Sequence, residues 1–275
     1  RGYEQHETYF KLPFNKQIME SLKCPTYFVG LGINYFRGRE GFSEEAKESL
    51  RATIDLSSQF SLRNDGSIDI LKDLGLFSDK VKEIPDPGLI FNYERRLCNS
   101  NVQTNIIQPA FNSSHHINEN RFKGEANIGL LVEFANENNL SVMPHTPKDY
   151  RYFKDYILDQ QQLVEMLNFD YTSELVKLYL NFDSIVAFRG HGQLISIGMN
   201  IPGLYFSTQD KVRDFSHKNG FEDYNIDINY NNWLDELRSK HFRLLVDSSY
   251  RNHWYDIRNN QIQKWHESFE AFIKT

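Results

Sequence analysis

Cysteine is almost absent. The chain has two, Cys24 and Cys98, far apart and in no metal-ligand spacing, so neither a disulfide framework nor a zinc knuckle is expected, and free thiols fit a reducing compartment. Long apolar runs are missing as well: none approaches the length of a transmembrane helix, and the first residues show no signal-peptide pattern. The cytoplasm is therefore the expected location, with contact at the inner face of a membrane left open. Low-complexity stretches and internal repeats are absent too. Positive charge is not in excess: 31 Lys and Arg against 37 Asp and Glu give a net charge of −6. A surface of that sign does not attract nucleic acid, so an anionic ligand requires a local basic pocket. The first residue is Arg1 and not Met, from which a removed N-terminus or a longer parent chain is expected.

What is present is the composition of an ordinary globular protein, 40% hydrophobic and 25% charged over 275 residues. That length suits one large domain or two modest ones. Short apolar runs alternate with helical patterns, which predicts an α/β fold with largely parallel sheets. Residues 26–31 (TYFVGL) and 60–62 read as strands, and 68–74 as a short helix ended by Gly75. The prolines in 84–88 (IPDPG) lead to an extended reading of the apolar run 89–91. After a polar stretch at 99–103 the pattern restarts. Strands are expected at 104–107, 140–143, 185–188 and 203–206, and helices at 128–136, 173–180 and 193–199. The tail beyond Phe221 carries aromatics and charges at helical spacing, and its Trp233, Trp254 and Trp265 read as packing residues. The expected organisation is two Rossmann-like lobes facing a cleft: residues 1–99, 100–220 with the ligand site, and a helical segment, 221–275, packing across them. Ligands in such lobes meet the carboxyl ends of the strands.

The chemistry concentrates in residues 183–211, DSIVAFRGHGQLISIGMNIPGLYFSTQDK. An apolar strand runs directly into Arg189-Gly190-His191-Gly192, read as a sharp turn, and then into a helix. Arg189 offers a planar fork of donors suited to carboxylate or phosphate, and a helix start offers amides to an anion. Lys211 stands at the start of the next helix, and no acidic residue lies between Asp183 and Asp210. Alone, a strand-end arginine is often a surface residue and a glycine-flanked histidine often a turn residue. The combination of strand, turn, helix and downstream lysine favours a site. The loop 144–149 (PHTPKD) adds His145 and Asp149 as candidates to position or deprotonate an acceptor, with a stiff surface loop the equal alternative. His115 and His116 are adjacent, their side chains diverge, and they read as a polar loop; no metal site and no cofactor are expected.

In order along the chain, Gly30-Leu31-Gly32, then Ser61-Leu62-Arg63-Asn64-Asp65, then Asp86-Pro87, then Asp183 through Arg189 and His191-Gly192, then Pro202-Gly203 and Lys211 resemble the polysaccharide pyruvyltransferase family. Asn64 stands where that family usually has Asp, and its glycine-rich G-N-x-G-D-like start is absent, so the chain is expected to begin inside the first lobe. The resemblance implies a GT-B-like fold and a ketal pyruvyltransferase taking phosphoenolpyruvate as donor. Its acceptor would be a sugar of a cell-surface polysaccharide, such as an exopolysaccharide, capsule or cell-wall polymer, or of its lipid-linked precursor. It implies that Arg63, Arg189 and His191 meet the donor, with Gly190 and Lys211 beside it. His191 suits either a proton donor to carbon or a phosphate clamp. The alternatives are a GT-B glycosyltransferase using a nucleotide sugar, against which the acid-free interval 184–209 counts, and a non-catalytic sugar-binding module.

Overall fold

A computed structural model describes residues 16–33, 42–90, 105–108, 125–143, 179, 182–207, 210–228 and 230–274. They group into two units, Arg1–Pro87 with Lys264–Thr275, and Gly88–Gln263. Both are α/β with parallel strands, as the alternating pattern predicts.

The first unit holds α1 (Lys16–Ser21), β1 (Tyr27–Leu31), α2 (Glu44–Leu56), β2 (Gln59–Arg63), α3 (Ser67–Asp73) and β3 (Val81–Ile84). Its sheet has the order β1-β2-β3, all parallel, with Phe28 beside Phe60 and Phe60 beside Val81. Helix α2 escapes a sequence reading because its buried face is Ala46, Leu50, Thr53 and Ile54, a helical stripe built half from small or polar residues. Ser43 caps it, its hydroxyl accepting the Ala46 amide at 3.2 Å, with Glu44 and Glu45 in the first turn. Strand β3, also absent from the sequence reading, buries only Val81 and Ile84 at its ends. The expected extended run at 89–91 is corrected over its described part: Pro87–Ile90 forms a 3₁₀ turn. Proline at the first position of a helix loses no hydrogen bond, because that amide has no partner within the helix.

The second unit holds β4 (Asn105–Gln108), α4 (Glu125–Glu137), β5 (Ser141–Val142), β6 (Ser184–Ala187), α5 (Gly190–Gly198), β7 (Gly203–Phe206), α6 (Asp210–Lys218), β8 (Asn225–Ile226), α7 (Trp233–Val246) and most of α8 (Ser248–Lys274). The sheet order is β5-β4-β6-β7-β8 and every pairing is parallel. In chain order that is 2-1-3-4-5, a doubly wound arrangement whose connections diverge between β4 and β6. All four residues of β6 and of β7 are buried, which is why continuous apolar runs mark them in the sequence. Of the expected helix at 173–180 only Tyr179 is among the described residues; it is helical and buried.

The tryptophans are packing residues, as expected. Trp254 is fully buried against Phe221 at 6.0 Å, and Trp233 meets Phe206 edge-on at 5.9 Å. Trp265, in the first unit, stacks on Phe269 at 4.8 Å. His241 on α7 is buried at 1% exposure, edge-on to Phe134 of α4, and its Nε2 has no hydrogen-bond partner. Burial pushes its pKa down to about 4. The unfolded chain takes up this proton near pH 6.5, the folded chain only near 4, so the native state loses stability as pH falls through that window. Between pH 7 and pH 4.5, His241→Leu is expected to lose about 2–3 kcal/mol less stability than the wild type, measured by urea unfolding at the two pH values. Equal losses would mean that His241 titrates normally in the fold.

Candidate functional site

Because β6 and β7 run parallel and adjacent, their carboxyl ends share one edge of the sheet. Strand β6 ends at Ala187; Phe188 is buried and stacked on Phe206 at 4.0 Å. Arg189 is then the N-cap of α5, in extended backbone, and its carbonyl accepts the Gln193 amide at 3.0 Å. The expected sharp turn at Gly190–Gly192 is thus corrected: these residues are the first turn of α5 itself. None of them has a left-handed backbone, and a side chain on Gly190 would make only ordinary contact with Val212. The amides of a first helical turn have no intrahelical partner and carry the positive end of the helix dipole. No acidic residue stands in that turn. His191 is exposed and Arg189 half-buried. From the end of β7 the chain returns to the same edge, where half-buried Lys211 follows Asp210 at the start of α6. Arg189, Gly190, His191 and Lys211 are therefore brought together on one edge, beside the divergence between β4 and β6 where doubly wound sheets take ligands.

Helix α5 is held along its length. Gln193, buried at 1%, donates from Nε2 to Ser216 Oγ of α6 at 2.9 Å. Ser196 donates to the Gln193 carbonyl at 2.8 Å and lies 3.3 Å from the Tyr205 hydroxyl. With its one hydroxyl hydrogen given to Gln193, Ser196 accepts from Tyr205, which itself accepts the Trp254 indole N–H at 3.3 Å. At the other end, Asn200 adopts a left-handed backbone, with Ile201 N bonded to Ser196 O and Asn200 N to Ile197 O, the double closure of a Schellman cap. Arg258 of α8 adds two bonds, to the carbonyls of Ile197 and Gly198, both at 3.0 Å. Its cation sits at the negative end of the helix dipole, although burial lowers its pKa. A side chain on Gly198 would strike the Gly88 carbonyl at 2.9 Å.

The first unit has its own cluster at the carboxyl ends of its strands. Ser61 accepts the Gly30 amide at 2.9 Å and donates to the Phe28 carbonyl. Ser67 accepts the Ile33 amide at 2.8 Å and donates to Asp65. Arg63 lies over Gly32, where any side chain would collide with its guanidinium. Its Nη1 donates to Asp86 at 2.9 Å, and its Nε stands 2.8 Å from Asp65 as an ion pair. Both aspartates are buried. Burial alone disfavours the charge on Arg63, but the two carboxylates outweigh it and its pKa is raised. The three motif fragments of this half of the sequence are thus one assembly. One cation faces two anions there, so Arg63 brings directed donors and no net positive charge.

His145 and Asp149 lie outside the described residues, as do His115 and His116. Among the described residues no group of three or more His, Cys, Asp or Glu could hold a metal, and no helix is long and apolar enough to cross a membrane. Sequence reasoning missed Gln193 and Ser216. The available signal was one long polar side chain inside the otherwise apolar run 193–199.

Comparison with the curated proteins gave no match. Among solved structures, the chain is similar to the UDP-GlcNAc 2-epimerase of Methanocaldococcus jannaschii in complex with UDP-GlcNAc and UDP, at 14% identity and a TM-score of 0.49. That similarity covers 74% of this chain, which spans 58% of the other. The family model for polysaccharide pyruvyl transferase matches residues 7–210, well over half of the sequence, and with the ordered strand-end motifs now placed on two sheet edges, the chain belongs to the polysaccharide pyruvyl transferase family.

Proposed function

We propose that this protein transfers the pyruvyl group of phosphoenolpyruvate to a pair of sugar hydroxyls, forming a pyruvate ketal on a polysaccharide or its lipid-linked precursor. The observation that carries the reading is the joint placement of Arg189, the first turn of α5, His191 and Lys211 on one sheet edge. Phosphoenolpyruvate presents a carboxylate and a phosphate on a small frame. A guanidinium fork, a helix start and an ammonium match those two anions in kind. The resemblance also assigns Arg63 to the donor. With Asp65 and Asp86 on two of its nitrogens, Arg63 contributes orientation, and the attraction for an anion falls on Arg189, Lys211 and the α5 amides.

The reaction needs a proton on the methylene carbon, which leaves an oxocarbenium-like centre at the adjacent carbon. One sugar hydroxyl adds there, phosphate departs with the electron pair of its C–O bond, and the second hydroxyl closes the ketal. Of the two hydroxyl protons, one balances the methyl group and the other leaves on phosphate. His191, exposed at the α5 start, is suited to deliver the first proton or to hold the departing phosphate. His145 and Asp149 remain proposed acceptor-side residues, and the cytoplasm, where phosphoenolpyruvate is made, is the proposed location. No step calls for a metal, so activity is expected to survive exhaustive EDTA treatment; loss on chelation with recovery on adding a divalent ion would overturn this.

Ligand binding raises the unfolding free energy by RT ln(1 + [L]/Kd), about 2.7 kcal/mol at a hundredfold excess. Phosphoenolpyruvate is expected to raise the thermal midpoint, and UDP at equal concentration to raise it much less. The opposite order would favour the nucleotide-sugar glycosyltransferase.

Arg189→Lys keeps the charge and loses the fork, so donor affinity is expected to fall by about tenfold or more. His191→Gln is expected to lower turnover by about 10²–10⁴-fold with donor affinity far less changed if His191 is the acid, and the limb of the pH–rate profile reporting that acid should vanish. A parallel fall of affinity and turnover, with the limb retained, would assign it to the phosphate. Wild-type turnover in His191→Gln would remove it from the site.

A further inference from the structure

We propose that the buried hydrogen bond between Gln193 and Ser216 is the positioning device of the donor site, setting the level of the α5 start against the α6 start. The proposal rests on the assignment of that edge to phosphoenolpyruvate. Both side chains are buried, at 1% and 0% exposure, where α5 packs on α6. An apolar contact between two helices is non-directional, so it sets their relative level less sharply than a directed bond does. A 2.9 Å bond between two groups shut away from water is sharper, since a shift leaves a buried polar group unpaired.

The geometry places this bond where it controls the site. Helices α5 and α6 follow parallel neighbouring strands and so run in the same direction. Two contacts lie along their seam, one helical turn apart. Gly190 faces Val212 at the mouth, and Gln193 meets Ser216 below it. Arg189 and His191 flank the first residue of that pair, and Lys211 precedes Val212 in the chain. The same glutamine is anchored from behind: its carbonyl accepts Ser196, which is bonded to Tyr205 and through it to Trp254 of α8. The register of α5 is thus referred to β7 and α8 as well as to α6. Neither Gln193 nor Ser216 touches the reacting atoms; they act through the residues at the mouth.

The test separates position from stability. Ser216→Ala strands a buried amide and should lower the thermal midpoint and the phosphoenolpyruvate affinity together. Replacing both partners, Gln193→Leu with Ser216→Ala, removes the unpaired group, and such exchanges can be nearly neutral for stability. The double variant is therefore expected to regain most of the thermal midpoint while its phosphoenolpyruvate Kd, by calorimetry, stays about tenfold above that of the wild type. Ser216→Thr keeps the hydroxyl and is expected to bind within about threefold of wild type, a comparison that stands even if the double variant folds poorly. A double variant that binds phosphoenolpyruvate like the wild type, or Ser216→Ala and Ser216→Thr binding alike, would overturn the proposal and leave the donor reading intact. Wild-type protein that does not bind phosphoenolpyruvate would overturn both.

Discussion

The parallel pairing of β6 with β7 is the constraint on which the candidate site depends. Parallel strands cannot be joined by a hairpin, so each must be followed by a return crossover. Here those crossovers begin with α5 and α6, and both helices start at the same edge. The strand direction alone therefore delivers a cation-bearing cap at Arg189, a helix start at Gly190 and an ammonium at Lys211 to one place. Nothing in residues 184–209 carries a negative side chain, so no acid within that stretch opposes the helix dipole. This is the edge proposed to take an anion, although the chain as a whole is acidic.

The two units use their strand ends for different chemistry. At the edge of the second, Arg189 and the first-turn amides stand at the start of a helix fixed by buried neutral bonds: Gln193 to Ser216, and Trp254 through Tyr205 to Ser196. At the edge of the first, the cation is held between Asp65 and Asp86, and the serines at 61 and 67 tie the end of β1 to that cluster. A buried charge needs such partners, because the desolvation of a lone guanidinium is costly. The same pairing lowers its value as an attractor of phosphate. In the proposed donor site, net potential and fixed direction are separate contributions from different residues.

Much of this was legible in the sequence, and the exceptions have physical causes. Strands covered on both faces read as unbroken apolar runs, so β6 and β7 were visible within a residue or exactly as found: 185–188 against Ser184–Ala187, and 203–206 against Gly203–Phe206. Helix α2 was hidden because Ala46 and Thr53 occupy half of its buried face. Strand β3 exists through its register against β2, which no local pattern reveals. Arg189-Gly190-His191-Gly192 read as a turn because glycine disfavours helix interiors, yet a first helical turn is the position where that cost is smallest. The residue types Arg189, His191 and Lys211 were readable. The buried glutamine proposed to set their level leaves only one trace, a long polar side chain in a mostly apolar run, and its partner across the seam is not visible in the sequence.

Glycine amides offer the most direct test of where the donor sits, because both sheet edges carry glycines at their critical points. With the protein labelled with ¹⁵N at glycine only, phosphoenolpyruvate is titrated and the amide resonances are followed after assignment by single replacement. The account predicts saturable shifts at Gly190 and Gly192, at the start of α5, with Gly75 at the end of α3 unmoved. Shifts confined to Gly30 and Gly32, with Gly190 and Gly192 unchanged, would place the anion on the Arg63 cluster and contradict it.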